Sequence, residues 1–596
     1  MYDLLIRGGT IVDGTGSSRF VGDVAVSDGR IVAVGPDLEG GALQIIDATG
    51  RLVTPGFVDC HTHYDGQVTW DDELNPSSGH GVTTVVMGNC GVGFAPVRPG
   101  QESWLIQLME GVEDIPGTAL AEGMTWGWES FPEYLDVLDR RHLAVDVATQ
   151  IAHGAVRGYV MGERGARNEP ATAQDIAAMR AIVREAIEAG ALGVSTSRVL
   201  SHRAMDGEAV PGTFAAEDEL YALGYALADA GTGVFELAPA GADGKDLMKA
   251  SKEMAWMRKL SAEISRPVTF ALLQVEGDPG LWRSLMAESL DACAQGAQCY
   301  PQVAARPFGM LIGLQTHHAF AKRPTFVSLA HLPLPDLVAS LRRPEVRAAI
   351  LAERDLPADP TWLFDGMATM VQNMMHRLYP LGDTPDYEPP PECSVAAMAQ
   401  AQGLHAEEVF YDRMLEDDGL AMMILPIFNY ADGSHDAIRE MLTHPQAVSG
   451  LSDGGAHCGM ICDASIPTYL LTHWARDRTR GDTLEIEWVV KKQAADTASL
   501  YGLGDRGVLA VGRRADINVI DFDNLRLGRP HVARDLPAGG RRLMQDAEGY
   551  DYTIVAGQIT RDHGADTGAR PGRLVRGARG ATHPGGASTL AAWSGT

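Results

Sequence analysis

The sequence predicts an α/β fold, a (β/α)8 barrel of the TIM-barrel type, on three observations. Short apolar runs alternate with helix-length amphipathic stretches through most of the chain, as a parallel α/β domain requires. The count of such runs reaches eight, which favours a closed barrel over an open sheet. Residues able to do chemistry stand at the ends of several runs, and barrels keep their active sites at the C-terminal ends of their strands.

The elements follow in order. Residues 1–53 read as the N-terminal part of a small β-sandwich, with short strands around Gly8-Gly9 and a hairpin across Asp28-Gly29. Residues 506–570 carry similar β runs at 512–521 and 552–559, and the two parts are expected to join into one sandwich. The barrel begins at 54 and its first seven strands reach 303. Strand one, at 57–60, ends in His61-Thr-His63, and strand two, at 83–88, runs into Asn89-Cys90-Gly91. Strand three, at 143–152, leads to His153. Helices at 174–189, 217–230, 254–264 and 282–295 then precede strands at 191–196, 233–237, 267–273 and 298–302. Strand eight, at 447–452, ends at Asp453, and the barrel closes with a helix before 505.

Residues 304–446 are far too many for an ordinary βα loop and read as a long helical insertion before the last strand. Its segment 361–379 is dense in Met and aromatic residues, 380–391 is Pro-rich, and 394–417 has helical character. It is expected to pack a core of its own, and Met side chains could also make it an adaptable lid over the barrel mouth. Residues 571–596 read as a flexible Gly-rich tail.

Composition excludes several function classes. A chain of 596 residues with a net charge of −29 suits neither nucleic acid nor an anionic membrane as partner, since both demand clustered Lys and Arg. No run of eighteen apolar residues occurs to span a bilayer, and the N-terminus lacks the features of a signal peptide. The seven cysteines are scattered without a C-x-x-C pair, which points to a reducing cytoplasm rather than a disulfide framework. The expected partner is a small-molecule substrate, with self-association into a homo-oligomer common for acidic enzymes of this build.

The chemistry starts from His61 and His63. Residues two apart on a strand share a face, so both imidazoles leave strand one together and can grip one cation. Following a Pro-Gly turn and a buried strand, the pair predicts a metal site.

The segments Pro55-Gly-Phe-Val-Asp-Cys-His-Thr-His63, Gly88-Asn-Cys-Gly91, His153-Gly154 with Arg157, Ser452-Asp453-Gly454 and Gly512-Arg-Arg-Ala-Asp-Ile517 resemble the amidohydrolase superfamily. Within it they are similar to the N-acyl-D-amino-acid deacylase (D-aminoacylase) family, over nearly the whole chain. The resemblance implies a metal-dependent barrel whose ligands are the His pair, a Cys after strand two, one His each after strands five and six, and an Asp after strand eight. His61, His63, Cys90 and Asp453 match. The other two positions do not: strand five ends Val234-Phe-Glu-Leu-Ala238 and strand six ends Phe270-Ala-Leu-Leu-Gln274.

Glu236 or His202 could supply a further ligand. Leu272 and Leu273 would instead form an apolar wall favouring a greasy substrate group. The expectation is one Zn2+ per chain on the His61/His63/Asp453 side, with Cys90 as a further and at most weak ligand. Asp453 is expected to act as general base and then acid on a zinc-activated water. Arg157 and His153 are candidates for holding a substrate carboxylate, and His457 for a second acid/base; His473 stands near it as either acid/base or structural histidine. The activity expected is hydrolysis of an amide bond, most simply in an N-acyl amino acid. A cyclic amide, an ester or a carboxylate substrate, or a metal-free homologue with a binding role, remains the alternative.

Overall fold

The structure, a computed structural model, describes residues 1–357 and 365–577. Five strands open the chain: β1 (Tyr2–Ile11), β2 (Phe20–Ser27), β3 (Arg30–Gly35), β4 (Ala42–Asp47) and β5 (Leu52–Pro55). They pair with β strands from the far end, at Ile517–Ile520, Tyr550–Val555, Gln558–Asp562 and Ala565–Asp566. The join is the antiparallel pairing of β5 with Ile517–Ile520. All nine strands are hydrogen-bonded into a single sheet, so the two chain ends share one sheet rather than contributing a layer each. Its apolar side chains, among them Ile6, Val26, Val53, Ile517 and Ile554, gather into one core.

Next come the parallel strands β6 (Phe57–Asp59), β7 (Val82–Met87), β8 (Asp146–Thr149), β9 (Ile151–Ala152), β10 (Gly193–Ser197), β11 (Val234–Ala238), β12 (Val268–Ala271) and β13 (Cys299–Val303). The insertion holds β14 (Phe308–Gly313), β15 (Tyr379–Pro380) and β16 (Met422–Phe428), and β17 (Val448–Ser449) is the last parallel strand. β8 and β9 are one strand interrupted at Gln150, whose amide donates to Asn89 at 2.8 Å. Counting them together, eight strands pair in sequence from β6 through β17. A parallel bridge between Thr62 and Gly454 then joins the last strand to the first. This is the TIM-barrel plan, with a smaller β domain attached.

Every residue of β7, β8, β10, β11, β12 and β13 is buried, as expected where helices cover one face and side chains fill the other. The filling is polar in places. Asp146, fully buried on β8, is held by Arg506 at 2.7 Å, by Arg514 at 2.9 Å and by the amide of Arg573 at 2.9 Å.

Two sequence expectations change here. The insertion is not purely helical: β14, β15 and β16 form an antiparallel sheet inside it, with a separate core including Phe320, Leu341, Phe410 and Tyr411. A strand buried on both sides lacks the alternation that announces a strand, so Met422–Phe428 shows only as an apolar run. The start of the tail is also docked rather than free. Gly572 and Leu574 bridge to Leu143 and Val147, and Arg576 pairs with Asp136 at 2.7 Å. Residues 361–364 of the Met-rich segment and 578–596 of the tail lie outside the described residues.

Asp146 carries a testable consequence. Replacing it with Ala takes from two buried guanidiniums the carboxylate they share, leaving Arg506 with Asp505 and Arg514 with Asp516, and should cost about 3 kcal/mol. Denaturant unfolding should show that loss, while turnover per folded molecule stays near wild type because Asp146 lies on the opening residue of its strand, away from the C-terminal end.

Candidate metal centre

His61 and His63 follow β6, and their ring centroids lie 5.4 Å apart. Cys90 follows β7 on a loop whose shape demands glycine. A Cβ on Gly88 would meet the Gln150 carbonyl oxygen at 2.2 Å, and one on Gly91 would meet the backbone of Ser197 at 2.8 Å. Both glycines take positive φ, as does Cys90 between them at 54°. The tight loop brings the Cys90 thiol to 3.4 Å from His61 Nε2. Asp453, after β17, puts Oδ1 at 3.4 Å from His61 Nε2 and 3.8 Å from His63 Nε2. The bridge that closes the barrel makes this meeting possible: the Asp453 amide donates to the His61 carbonyl, and the His63 amide to that of Gly454.

Each imidazole is oriented from behind. His61 Nδ1 faces the Gln302 side-chain oxygen at 2.8 Å, and His63 Nδ1 faces Glu113 at 3.4 Å. A carbonyl oxygen only accepts, so His61 Nδ1 carries the proton and its Nε2 keeps the lone pair for the centre, while Glu113 and Asp453 flank the two nitrogens of His63. His61, His63 and Cys90 offer ligand atoms that all lie within 4.8 Å of one another. Cys90 thus stands with both histidines in one group that could hold a metal ion. These donors, soft thiolate with imidazole and an adjacent carboxylate, fit a zinc-class ion.

Electrostatics mark the centre. Burial opposes protonation of His63, but Glu113 and Asp453 outweigh it and hold the imidazole up at about 9. His61 is pushed down to about 4, mainly by burial. Burial also opposes ionisation of Asp453, yet hydrogen bonds from His457 and His63 keep it far below the usual carboxylate range. Burial raises Glu236 to about 8 and the Cys90 thiol well above its ordinary value.

Glu236, on β11, accepts from the Cys90 amide at 3.0 Å, and its other oxygen lies 3.9 Å from His61 Nδ1. That places it behind His61, supporting the Cys90 loop, rather than on the Nε2 side where the ligand atoms gather. His202 bonds Ser197 at 2.9 Å and is not among the clustered ligand atoms. His457 does reach the centre, with Nε2 at 3.5 Å from Asp453 and 3.8 Å from Glu113.

His153 and Arg157 do not meet the substrate role expected of them. His153 is fully buried between Thr196 at 2.9 Å and Glu219 at 2.8 Å, and Arg157 is paired with the same Glu219 and the Glu169 carbonyl. With the whole residue only 1% exposed, Arg157 has no open face for a carboxylate. Leu272 faces the helical layer, lining with Phe270, Met254 and Met257 a gap of about 20 Å³, so it is not a wall of the mouth. His473 belongs to a different cluster with Glu388 and His435.

Glu113 and Gln302 escaped sequence reasoning. Gln302 could have been found, because it ends the seventh barrel strand. Glu113 ends the helix Glu102–Glu113, and nothing in its sequence context separates it from a surface Glu.

The family model described as "Amidohydrolase family" matches residues 44–561. The chain belongs to the amidohydrolase family. An uncharacterised protein of Mycobacterium tuberculosis (strain H37Rv) is 28% identical over 589 residues, covering 93% of this amidohydrolase and 90% of the relative. D-aminoacylase of Alcaligenes xylosoxydans xylosoxydans is 30% identical over 308 residues, 51% of this chain and 58% of the relative. Among solved structures, N-acyl-D-glutamate deacylase of Bordetella bronchiseptica, complexed with zinc and a phosphonate mimic of the tetrahedral intermediate, shares the fold. It superposes with a TM-score of 0.62 at 24% identity, over 96% of this chain and 99% of that one. This amidohydrolase is therefore a metal-dependent hydrolase acting on small molecules. No helix among its described residues is long and apolar enough to cross a membrane.

The His153–Glu219–Arg157 cluster predicts a pH signature in stability rather than activity. Burial opposes ionisation of Glu219, but His153 and Arg157 prevail and bring it from 4.5 down to about 2. A carboxylate depressed on folding stabilises fully above its unfolded value and loses that contribution as pH falls through the folded one. Glu219→Gln should therefore lower Tm clearly at pH 7. The gap from wild type should narrow between pH 4.5 and about 2 in a thermal-melt series.

Proposed function

We propose that this amidohydrolase is a deacylase that hydrolyses the C–N bond of an N-acyl amino acid, with one Zn2+ held at the barrel mouth by His61, His63, Cys90 and Asp453. The observation that carries this reading is the orientation of both imidazoles. Gln302 bonds His61 Nδ1 and Glu113 faces His63 Nδ1 at 3.4 Å, so that both Nε2 atoms turn toward Asp453. When bound, the ion would polarise the amide carbonyl and make water a better nucleophile at neutral pH.

The protein's own groups supply the rest. Asp453 accepts a proton from the attacking water and delivers it to the leaving nitrogen, so water is divided between the acyl carbon and the amine. His457, 3.5 Å from Asp453 Oδ2, holds that carboxylate ionised and hydrogen-bonded at the mouth. Glu113 ties His457 to His63, since its two oxygens face the two rings.

Substrate preference follows from what surrounds His457. Phe308 of β14 packs edge-on against it at 5.8 Å, and Phe428 of β16 lies 6.0 Å from Phe308. Both phenyl groups are only partly buried, which supports an apolar acyl group or side chain beside the catalytic Asp. The insertion thus contributes a wall to the mouth as well as packing its own core. The deacylases among the relatives support an N-acyl-D-amino acid over its enantiomer. All seven cysteines are free thiols, which supports a cytoplasmic setting.

Two substitutions test the roles. His63→Ala should lose the barrel zinc and activity together; an active variant with wild-type metal content would refute the assignment. Asp453→Asn, assayed at saturating Zn2+, should fold normally with kcat down by about 10²–10⁴. A matched panel of N-acyl-D- and N-acyl-L-amino acids with small polar or large apolar groups reads out the substrate class. Turnover highest on apolar N-acyl-D-amino acids is expected, and turnover confined to esters or cyclic amides would contradict the reading.

A further inference from the structure

Glu388, His435 and His473 form a second group of ligand atoms that the hydrolytic centre does not use, again all within 4.8 Å of one another. The three come from separate segments. Glu388 lies between β15 and β16, and His435 caps the helix Asp436–Leu442. His473 sits in the π-helical stretch Leu470–Asp477 beyond the last barrel strand, and such stretches are frequent at functional sites.

The spacing is that of a coordination sphere. His435 Nδ1 lies 3.2 Å from His473 Nε2, His473 Nε2 lies 3.2 Å from Glu388 Oε2, and His435 Nδ1 lies 3.7 Å from Glu388 Oε2. Ligand atoms about 2.0–2.1 Å from a tetrahedral zinc stand roughly 3.3 Å from each other. The triangle matches that value within a few tenths of an ångström.

The protonation pattern suits an ion too. His435 Nε2 faces the Tyr387 carbonyl oxygen at 2.8 Å and must carry the ring proton, so Nδ1 presents a lone pair. Glu388 Oε1 accepts from the His435 amide at 2.7 Å and from Arg478 at 3.0 Å. Oε2 accepts from Arg478 Nε at 3.1 Å and retains a lone pair toward the histidines. If the group were only hydrogen-bonded, one proton on His473 Nε2 would serve two acceptors. The Tyr469 hydroxyl, at 3.4 Å from His435 Nδ1, is a long alternative donor. A cation satisfies all three acceptors at once.

The surroundings fix the geometry and leave an approach. The His473 ring stacks on Tyr469 at 4.6 Å with 10° between planes, while its side chain stays 14% exposed beside the buried Glu388 and His435.

We propose that Glu388, His435 and His473 bind a second divalent ion of the zinc class, which cross-links the insertion to the helical segment after the last barrel strand. Two imidazoles and one carboxylate select a transition metal over Ca2+ or Mg2+. Its role is structural: it fastens the segment that carries Phe428 and the mouth wall to the barrel.

The test is metal content after loading with Zn2+ and exhaustive dialysis, for wild type, His63→Ala and His473→Ala. His473→Ala should hold one zinc fewer than wild type, keep its turnover, and show a smaller Zn2+-dependent rise in Tm than wild type. His63→Ala should keep the ion that His473→Ala lacks, so the result does not depend on what the barrel centre binds. Zinc-edge anomalous maps from wild-type crystals, which need no variant, should show a peak among the three side chains. Wild-type zinc content in His473→Ala, or a map without that peak, would overturn the proposal.

Discussion

The contact on which the rest depends is the closure of the strand ring at Thr62 and Gly454. Two backbone hydrogen bonds there, from Asp453 to His61 and from His63 to Gly454, bring the first strand's histidines beside the last strand's aspartate. Residues almost 400 positions apart in sequence thereby share one point in space. Each remaining feature of the centre adjusts that meeting: the Gly88 and Gly91 loop delivers Cys90, and Gln302 and Glu113 turn the imidazoles.

The centre is also an electrostatic compromise. Glu113, Glu236 and Asp453 are buried around His61, His63 and His457, and among the described residues no Lys or Arg is paired with these carboxylates. Carboxylates crowded in a dry site raise one another's affinity for protons, and burial, with Asp453 nearby, lifts Glu236 and Glu113. A divalent cation is the natural neutraliser of such a set.

Much of this was legible in the sequence, for reasons that differ by element. Parallel strands buried on both faces read as apolar runs, so the eight barrel strands and the helices between them were visible, and with them the positions of His61, His63, Cys90 and Asp453. The β14–β16 sheet was hidden because its longest strand is apolar throughout and sits among Met-rich helices. Glu113 was hidden because its role comes from where a helix end lands, and His153 with Arg157 misled because a His and Arg after a strand end can equally pair inward with Glu219. Glu388, His435 and His473 could not be joined from sequence, since only the fold brings the insertion against the segment after strand eight.

The central claim is that one cation sits between both imidazoles with the Cys90 sulfur among its ligands. Zinc-edge X-ray absorption on the His473→Ala protein, which leaves only the barrel centre loaded, tests it most directly. The account predicts one sulfur neighbour at about 2.3 Å beside nitrogen and oxygen neighbours at about 2.0–2.2 Å. A shell of nitrogen and oxygen alone, or a second metal scatterer about 3.5–4 Å away, would contradict it.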